Sequence, residues 1–320
     1  MAFSTDVLAE RLGELRRSQG KAARYTVAVS GGLDSAVLLH ALKSTAPGIP
    51  LRALHVNHGL HPESDSWDQR TRLFAEQLGV DYLSVAVQVD PAHPGGPEAS
   101  AREARYTAFK GEMNVGDWLL CAHHQDDQAE TMLFRLLRGA GVRGLSGIPE
   151  RRLLGRAELF RPLLSVPRQQ LLAWAEAEQL EWIEDPSNAD LSYDRNYLRH
   201  AVLPLLQARW PGFTRRWADT ARYMNDADQL HRELAEIDIV SVTKEGGLCC
   251  QALLGLTELR RNNLLRFWLR QAGIAAGERQ ILGVLELMSA ADDRQPVVHL
   301  PGAQLRRYRG GLLLQPEVAG

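Results

Sequence analysis

Six residues, Ser30-Gly31-Gly32-Leu33-Asp34-Ser35, restrict the fold more than any other part of this chain. The apolar run Tyr25-Thr26-Val27-Ala28-Val29 precedes them and Ala36-Val37-Leu38-Leu39-His40-Ala41-Leu42 follows. The first run reads as a buried strand and the second as the opening of a helix. A strand that passes through a glycine turn into a helix makes an anion site. Glycines let the backbone approach a polyphosphate, and the free N–H groups at the helix start face it. Ser30 and Ser35 add hydroxyls, and Asp34 adds a carboxylate suited to Mg²⁺. The same residues also suit an ordinary strand-to-helix turn with Asp34 or Ser35 as N-cap. No Gly-Lys-Ser/Thr follows, and Gly-x-Gly-x-x-Gly spacing is absent, so neither a Walker loop nor a dinucleotide fingerprint is present.

Strand-like runs then alternate with helical patterns. Leu51–Val56, Tyr82–Val87 and Trp118–Ala122 read as strands, and Ser66–Leu78, Glu98–Met113 and Asp126–Arg138 as helices. That alternation predicts an α/β fold with a parallel sheet and right-handed crossovers. Ligands in such folds sit beyond the carboxyl ends of the strands, where Ser30, Asn57 and His123 all fall. After the glycine-rich stretch 139–149 the pattern turns helical, with helices expected over 167–179, 193–209 and 218–236. A smaller unit is expected past Lys244-Glu245-Gly246-Gly247, with helices at 257–272 and 278–290 and strands at 296–300 and 311–315.

Several residue groups carry candidate chemistry. His123-His124-Gln125-Asp126-Asp127-Gln128-Ala129-Glu130-Thr131 closes one strand and opens a helix. Asp127 and Glu130 share a helix face. They read either as first-turn acids that complement the helix dipole or as an anionic pocket for an ammonium group or nucleotide-bound Mg²⁺. His55-Val56-Asn57-His58-Gly59 reads either as turn chemistry or as a reader of base or ribose. Arg102 and Arg105 share a helix face and suit a phosphate or a carboxylate. Arg195, Asn196 and Arg199 read either as a solvated basic helix or as RNA contacts.

Charge and cysteine content narrow the class. Net charge is −2 over 320 residues, so the whole molecule is no polycation. Arg135 to Arg168 nevertheless holds eight arginines against two acids, which permits a local basic face for nucleic acid. Cys121, Cys249 and Cys250 show neither metal spacing nor a disulfide framework. The charged, amphipathic Met1–Gly20 is unlike a signal peptide, and no run reaches the length of a membrane span. A cytoplasmic protein with no membrane association is expected.

The Ser30–Ser35 turn resembles the PP-loop of N-type ATP pyrophosphatases, which cleave ATP between the α- and β-phosphates. With His55–Leu60, Ala101–Tyr106, Ala122–Thr131 and Arg195-Asn196 with Arg199, the chain resembles the tRNA(Ile)-lysidine synthases. The resemblance is strong from about Tyr25 to Tyr223, and His-His-x-Asp-Asp-Gln-x-Glu-Thr is its most discriminating block. It implies a Rossmann-related ATP pyrophosphatase domain, a helical extension and a small α+β C-terminal domain. It implies ATP and Mg²⁺ as co-substrate and cofactor, L-lysine and a CAU-anticodon isoleucine tRNA as partners, and carbon–nitrogen ligation at the wobble cytidine through an adenylated intermediate. Ser30, Gly31, Gly32, Leu33, Asp34, Ser35, His55, Asn57 and His58 would then bind ATP, with Asp34 the Mg²⁺ contact. Asp127, Glu130 and Arg102 would bind lysine. Asp34, Arg105, Asp127 and Glu130 would carry the chemistry, and Arg195, Asn196 and Arg199 would contact tRNA.

The expected division is a catalytic domain over 1–216, its helical part over about 140–216, a linker helix over 217–240 and a tRNA-binding candidate over 241–320. Long members of the family carry a second C-terminal domain for which Gly320 leaves no room, so the chain is expected to be either a natural short form or a truncated one. The sequence leaves a homodimer open. The rival readings are a PP-loop tRNA thiolase, which generally needs sulfur-carrying cysteines, and a non-catalytic tRNA-binding module.

Overall fold

The structure, a computed structural model, describes residues 2–45, 48–244, 246–289 and 297–316. Met1, Glu245, Ala290 and Pro296, which the sequence reading includes in its elements and boundaries, lie outside the described residues. The chain divides into two units, 1–224 and 225–320.

The first unit is built on six strands: β1 (Arg24–Val29), β2 (Leu51–Asn57), β3 (Asp81–Ala86), β4 (Asp117–Leu120), β5 (Arg151–Leu154) and β6 (Ala157–Phe160). Their order in the sheet is β3-β2-β1-β4-β6-β5. All pairings are parallel except the β5–β6 hairpin. The chain runs outward from β1 through β2 to β3, then returns to place β4 on the other side of β1. The order therefore reverses between β1 and β4, and a crevice opens beyond their carboxyl ends. Val29 lies beside His55, and Val27 beside Leu120, so this register sets Ser30, Asn57 and Cys121 along one edge.

Helices α1 (Thr5–Gln19), α2 (Leu33–Thr45), α3 (Ser64–Gln77), α4 (Gly96–Glu112), α5 (Gln125–Leu137) and α6 (Val142–Leu145) follow the early strands. α7 (Arg168–Ala177), α8 (Asp194–Tyr197), a π-helical turn (Leu198–Val202) and α9 (Leu203–Arg209) complete the unit before the long α10 (Phe213–Val242). Tyr25, Trp118 and Phe160 pack with tilted rings across β1, β4 and β6, their ring centres 5.7 and 4.4 Å apart. Leu8 and Leu12 of α1 and Leu38, Leu39 and Leu42 of α2 are almost fully buried in the same core. Each such leucine contributes on the order of 1.5–3 kcal/mol through burial. That packing anchors the helix that begins at the glycine turn. A second apolar layer, Phe109, Met113, Leu119 and Leu159, lies in the cluster that includes α4.

Two departures from the sequence reading concern this unit. The 140–216 stretch, read as helical, contributes the β5–β6 hairpin to the sheet. The single helix expected over 193–209 is broken at the π-helical turn. Pro204 explains the break: its ring clashes with the carbonyl four residues earlier and it offers no N–H.

The second unit pairs helices with an antiparallel sheet. β7 (Thr243–Lys244), β8 (Gly247–Cys249), β9 (Val297–Leu300), β10 (Ala303–Tyr308) and β11 (Gly311–Pro316) lie in the order β7-β8-β11-β10-β9. Helices α11 (Cys250–Gly255), α12 (Glu258–Gln271) and α13 (Glu278–Ser289) enclose Leu264, Leu265, Ile281, Leu305 and Leu312. Asp238, 1% exposed, is satisfied by Arg260. Cys250 is buried in this core and Cys249 is partly exposed, and neither is in a disulfide.

Candidate active site

The glycine turn is knitted by its own serines. Ser30 N–H donates to Ser35 Oγ at 3.1 Å, Gly32 N–H to Ser30 Oγ at 3.3 Å, and Ser35 Oγ to the Gly32 carbonyl at 3.0 Å. Gly31 has φ +84°, and a Cβ there would sit 2.6 Å from Ile183 Cδ1 and 2.7 Å from Thr71 Oγ1. Its carbonyl accepts the Ile183 N–H at 2.9 Å. Leu33 is buried and pins the start of α2, whose first-turn N–H groups lack intrahelical partners. A cavity of about 450 Å³ lies behind the turn, lined by Val29, Gly31, Ser35, Phe74 and Trp182 among others. Asp34, Asp127 and Glu130 do not line it.

On the other flank stands an acidic cluster. His124 caps α5: its Nδ1 accepts the Asp127 N–H at 3.3 Å, and Asp127 Oδ2 accepts the His124 N–H at 3.0 Å. His124 Nε2 then lies 3.5 Å from both Asp34 Oδ2 and Asp127 Oδ2, linking the glycine turn to α5. Burial works against a charge on His124, but Asp34, Asp127 and Asp126 hold its pKa above the ordinary value. Burial likewise opposes ionisation of Asp34, yet His124, Arg168 and Arg199 hold its carboxyl below the usual range. Burial pushes the Glu130 carboxyl up, and Arg199 and Arg195 pull it back toward ionisation.

The arginines read as RNA contacts are committed to these acids. Arg199 reaches Glu130 Oε2 at 2.8–2.9 Å and Asp127 Oδ1 at 3.2 Å. Arg195 lies 3.3 Å from Glu130 Oε1 and 3.5 Å from Glu98. Asn196 donates to the carbonyls of Ser187 and Asp190 at 2.8 and 2.9 Å, so its amide clamps a loop. Asn57 is similarly occupied: its Oδ1 accepts the Gly59 N–H at 2.9 Å and its Nδ2 donates to Asp65 at 3.1 Å. Buried His55 bonds through Nδ1 to the Val29 carbonyl at 2.9 Å, tying β2 to β1.

The α4 side of the crevice is basic. Arg102 and Arg152 flank the Tyr106 ring, their guanidinium carbons 5.2 and 4.1 Å from its centre. Arg105 is next to them and forms no ion pair among the described residues; burial pulls its pKa down. Burial, then Arg105 and His55, depress His58 to about 4. Burial, then Arg161, Arg102, Arg105 and His124, depress His123 to about 3. The site therefore has an acidic flank and a basic flank. The sequence reading missed His124 as the bridge, and it missed Arg161 and Arg168 because they come from distant segments.

These two neutral histidines set a pH dependence. Both titrate near pH 6.5 in the unfolded chain, which therefore binds more protons than the folded one as pH falls. Stability is expected to decline from about pH 6.5 toward 4, by up to about 1.4 kcal/mol per pH unit for His123 and less for partly screened His58. His124 acts in the opposite sense: its contribution is present below pH about 6.5 and is lost as pH rises through its higher folded pKa. Urea midpoints measured across this range check the expectation. A midpoint that rises on acidification would contradict it.

Comparison with known proteins places the chain. Residues 5–206 match the PP-loop domain and residues 248–313 the TilS substrate binding domain. The tRNA(Ile)-lysidine synthase of Alkalilimnicola ehrlichii is 46% identical over 311 residues, spanning 96% of this chain and 69% of that protein. The enzyme of the same name from Pseudomonas putida is 42% identical over 300 residues, spanning 90% and 70%. Among solved structures, the U34-tRNA thiolase NcsA of Methanococcus maripaludis with its [4Fe-4S] cluster shares the fold, with TM-score 0.54 and 18% identity over 70% of this chain and 80% of that one. With its glycine turn, its His124-bridged acids and these relatives, the chain belongs to the tRNA(Ile)-lysidine synthase family.

Proposed function

We propose that this protein ligates L-lysine to C2 of the wobble cytidine of a CAU-anticodon isoleucine tRNA, using ATP. The observation that carries the reading is the bridge from Asp34 through His124 to Asp127, which joins the glycine turn to the acids of α5 and supports a phosphate site next to an ammonium site. In the first step the cytidine C2 oxygen attacks the α-phosphate of ATP and pyrophosphate leaves. The Ser30–Ser35 turn holds the departing charge, with Arg105 on the opposite flank. In the second step the side-chain amine of lysine attacks C2 and AMP leaves.

Asp34 fits a Mg²⁺ ion. Its Oδ1 is buried without a hydrogen-bond partner and its carboxyl is held ionised. No cluster of three or more ligand side chains occurs among the described residues, so phosphate oxygens and water would complete the shell. When bound, the ion would supply charge neutralisation on the phosphates.

Asp127 and Glu130 receive the lysine ammonium, which shares these acids with Arg199 and Arg195. These two arginines act on the acids and only indirectly on RNA. A carboxylate of this cluster takes the proton that the amine must lose. Arg102 suits the lysine carboxylate. Sulfur transfer fits poorly: Cys121 is buried, and burial holds its thiol protonated, whereas the thiolate is the reactive form. No described helix is long and apolar enough to cross a membrane.

Incubation with the CAU-anticodon tRNA, ATP and labelled lysine tests the reading, and a folded protein that leaves the tRNA unlabelled would refute it. Asp127→Asn is expected to raise the lysine KM by about 10- to 100-fold, a loss of roughly 1.4–2.8 kcal/mol, while the ATP KM changes less. An equal rise in both would mark Asp127 as a helix cap only.

A further inference from the structure

Arg161 is an unusual arginine. It follows β6, is 2% exposed, and has no carboxylate in ion-pair reach among the described residues. Its Nη1 donates to the Pro149 carbonyl at 2.6 Å, its Nη2 to the Tyr106 hydroxyl at 3.5 Å, and its Nε to His123 Nδ1 at 3.3 Å. An arginine has only donors, so the nitrogen it meets must be an acceptor. His123 therefore carries its proton on Nε2, and the Arg161 contact is the hydrogen bond its ring makes among the described residues. The residue lies just beyond the carboxyl end of β4 and is intermediate in exposure.

The surroundings fit a fixed donor better than a base. Arg161, Arg102 and Arg105 face His123 from β6 and α4, and His124 adjoins it, so positive charge disfavours a second proton. Nearby Arg152 has a buried Nε without a partner. A neutral N–H among guanidiniums that have no carboxylate partner among the described residues matches an anionic oxygen: it adds a directed hydrogen bond, and the arginines supply the charge.

We propose that His123 is a catalytic residue acting as a neutral, single-tautomer hydrogen-bond donor through Nε2 to a phosphoryl oxygen, with Arg161 the positioning residue that fixes the tautomer. The phosphoryl assignment rests on the ATP- and RNA-handling reading above; the tautomer does not. The oxygen belongs either to pyrophosphate or to the tRNA backbone, which share this chemistry.

Nitrogen-15 imidazole spectra of the whole protein test the proposal, with His123→Gln assigning the signal. The expected spectrum shows one tautomer, protonated at Nε2, unchanged from pH 8 down to 5. In Arg161→Met the signal should become a tautomer mixture and begin to titrate, and Arg161→Gln, which retains a donor, should restore it even if the Met variant folds poorly. An Nδ1-protonated wild-type signal, or an Arg161→Met spectrum like the wild type, would overturn it. A downfield Nε2 proton shift with Mg²⁺-pyrophosphate assigns the oxygen to the leaving group, and a shift only with an anticodon stem–loop RNA assigns it to the backbone. No shift with either probe, once other resonances show that both bind, would refute the phosphoryl role. In turnover, His123→Phe should lower kcat about 100-fold with little change in lysine KM, and His123→Gln should recover most of it. Failure of lysine transfer by the wild type would count against the proposed function and leave the tautomer measurement intact.

Discussion

Gly31→Ala is expected to slow the ATP-dependent step by about 100-fold and to destabilise the first unit by about 2–4 kcal/mol. The backbone there lies at φ +84°, a region that costs a non-glycine residue on the order of 1–2 kcal/mol. The added methyl would also sit 2.6 Å from Ile183 Cδ1 and 2.7 Å from Thr71 Oγ1. Thr71 does not yield readily, since its Oγ1 donates to the Trp67 carbonyl at 2.7 Å, and the Ile183 backbone is tied to the Gly31 carbonyl. The turn must move instead, and a displacement of about 1 Å at a reacting group costs on the order of 100-fold in rate. Gly32→Ala is the control. A Cβ there meets Ser30 Oγ at 3.5 Å, ordinary contact, so a milder loss is expected. Pyrophosphate exchange and urea unfolding of both variants check this. Equal damage at the two positions would show that the turn is sensitive to any side chain and not to the Gly31 geometry.

Glu130→Ala should produce the other large effect. Glu130 is 3% exposed and anchors Arg195 and Arg199 together. Removing it leaves Arg199 with Asp127 and Arg195 with the more exposed Glu98 as their remaining acids. Both guanidiniums can reach water, so the stability cost is about 1–3 kcal/mol, below that of a fully buried broken pair. The effect on lysine transfer should be larger, about 100-fold or more, because the ammonium loses a carboxylate and the arginines are released into its place. Glu130→Gln preserves shape and acceptor but not charge. It should recover most of the stability and little of the lysine affinity. A Gln variant with an unchanged lysine KM would make Glu130 a structural anchor alone.

The parts of the fold legible in the sequence were those whose signals are local. Val27 to Leu42 shows a strand, a turn and a helix because apolar runs flank the glycines directly. The α5 acids were visible because a cap and a dipole act within one turn. The β5–β6 hairpin escaped because its strands are four residues long, too short for alternation to show, and its place in the sheet depends on pairing with β4. Arg195 and Arg199 were legible as charge but not as partners. Their acidic partners lie 65 to 97 residues earlier, and no local pattern reports so distant an ion pair. Asn57 and Asn196 show the opposite limit: side chains suited to ligand contact are already used in turns.

The stretch from Ile183 to His200 ties the two flanks of the site mechanically. Ile183 is bonded to Gly31, Asn196 holds the Ser187 and Asp190 carbonyls, His200 bonds the Asn188 carbonyl at 2.9 Å, and Arg199 ends on Glu130. A ligand that repositions the glycine turn therefore pulls on the arginines that guard the acids. Thermodynamic linkage makes that influence reciprocal: whatever nucleotide occupancy does to amino-acid affinity, amino-acid occupancy does to nucleotide affinity by the same factor. This short tether thus makes the glycine turn and the Arg199–Glu130 pair parts of one hydrogen-bonded unit.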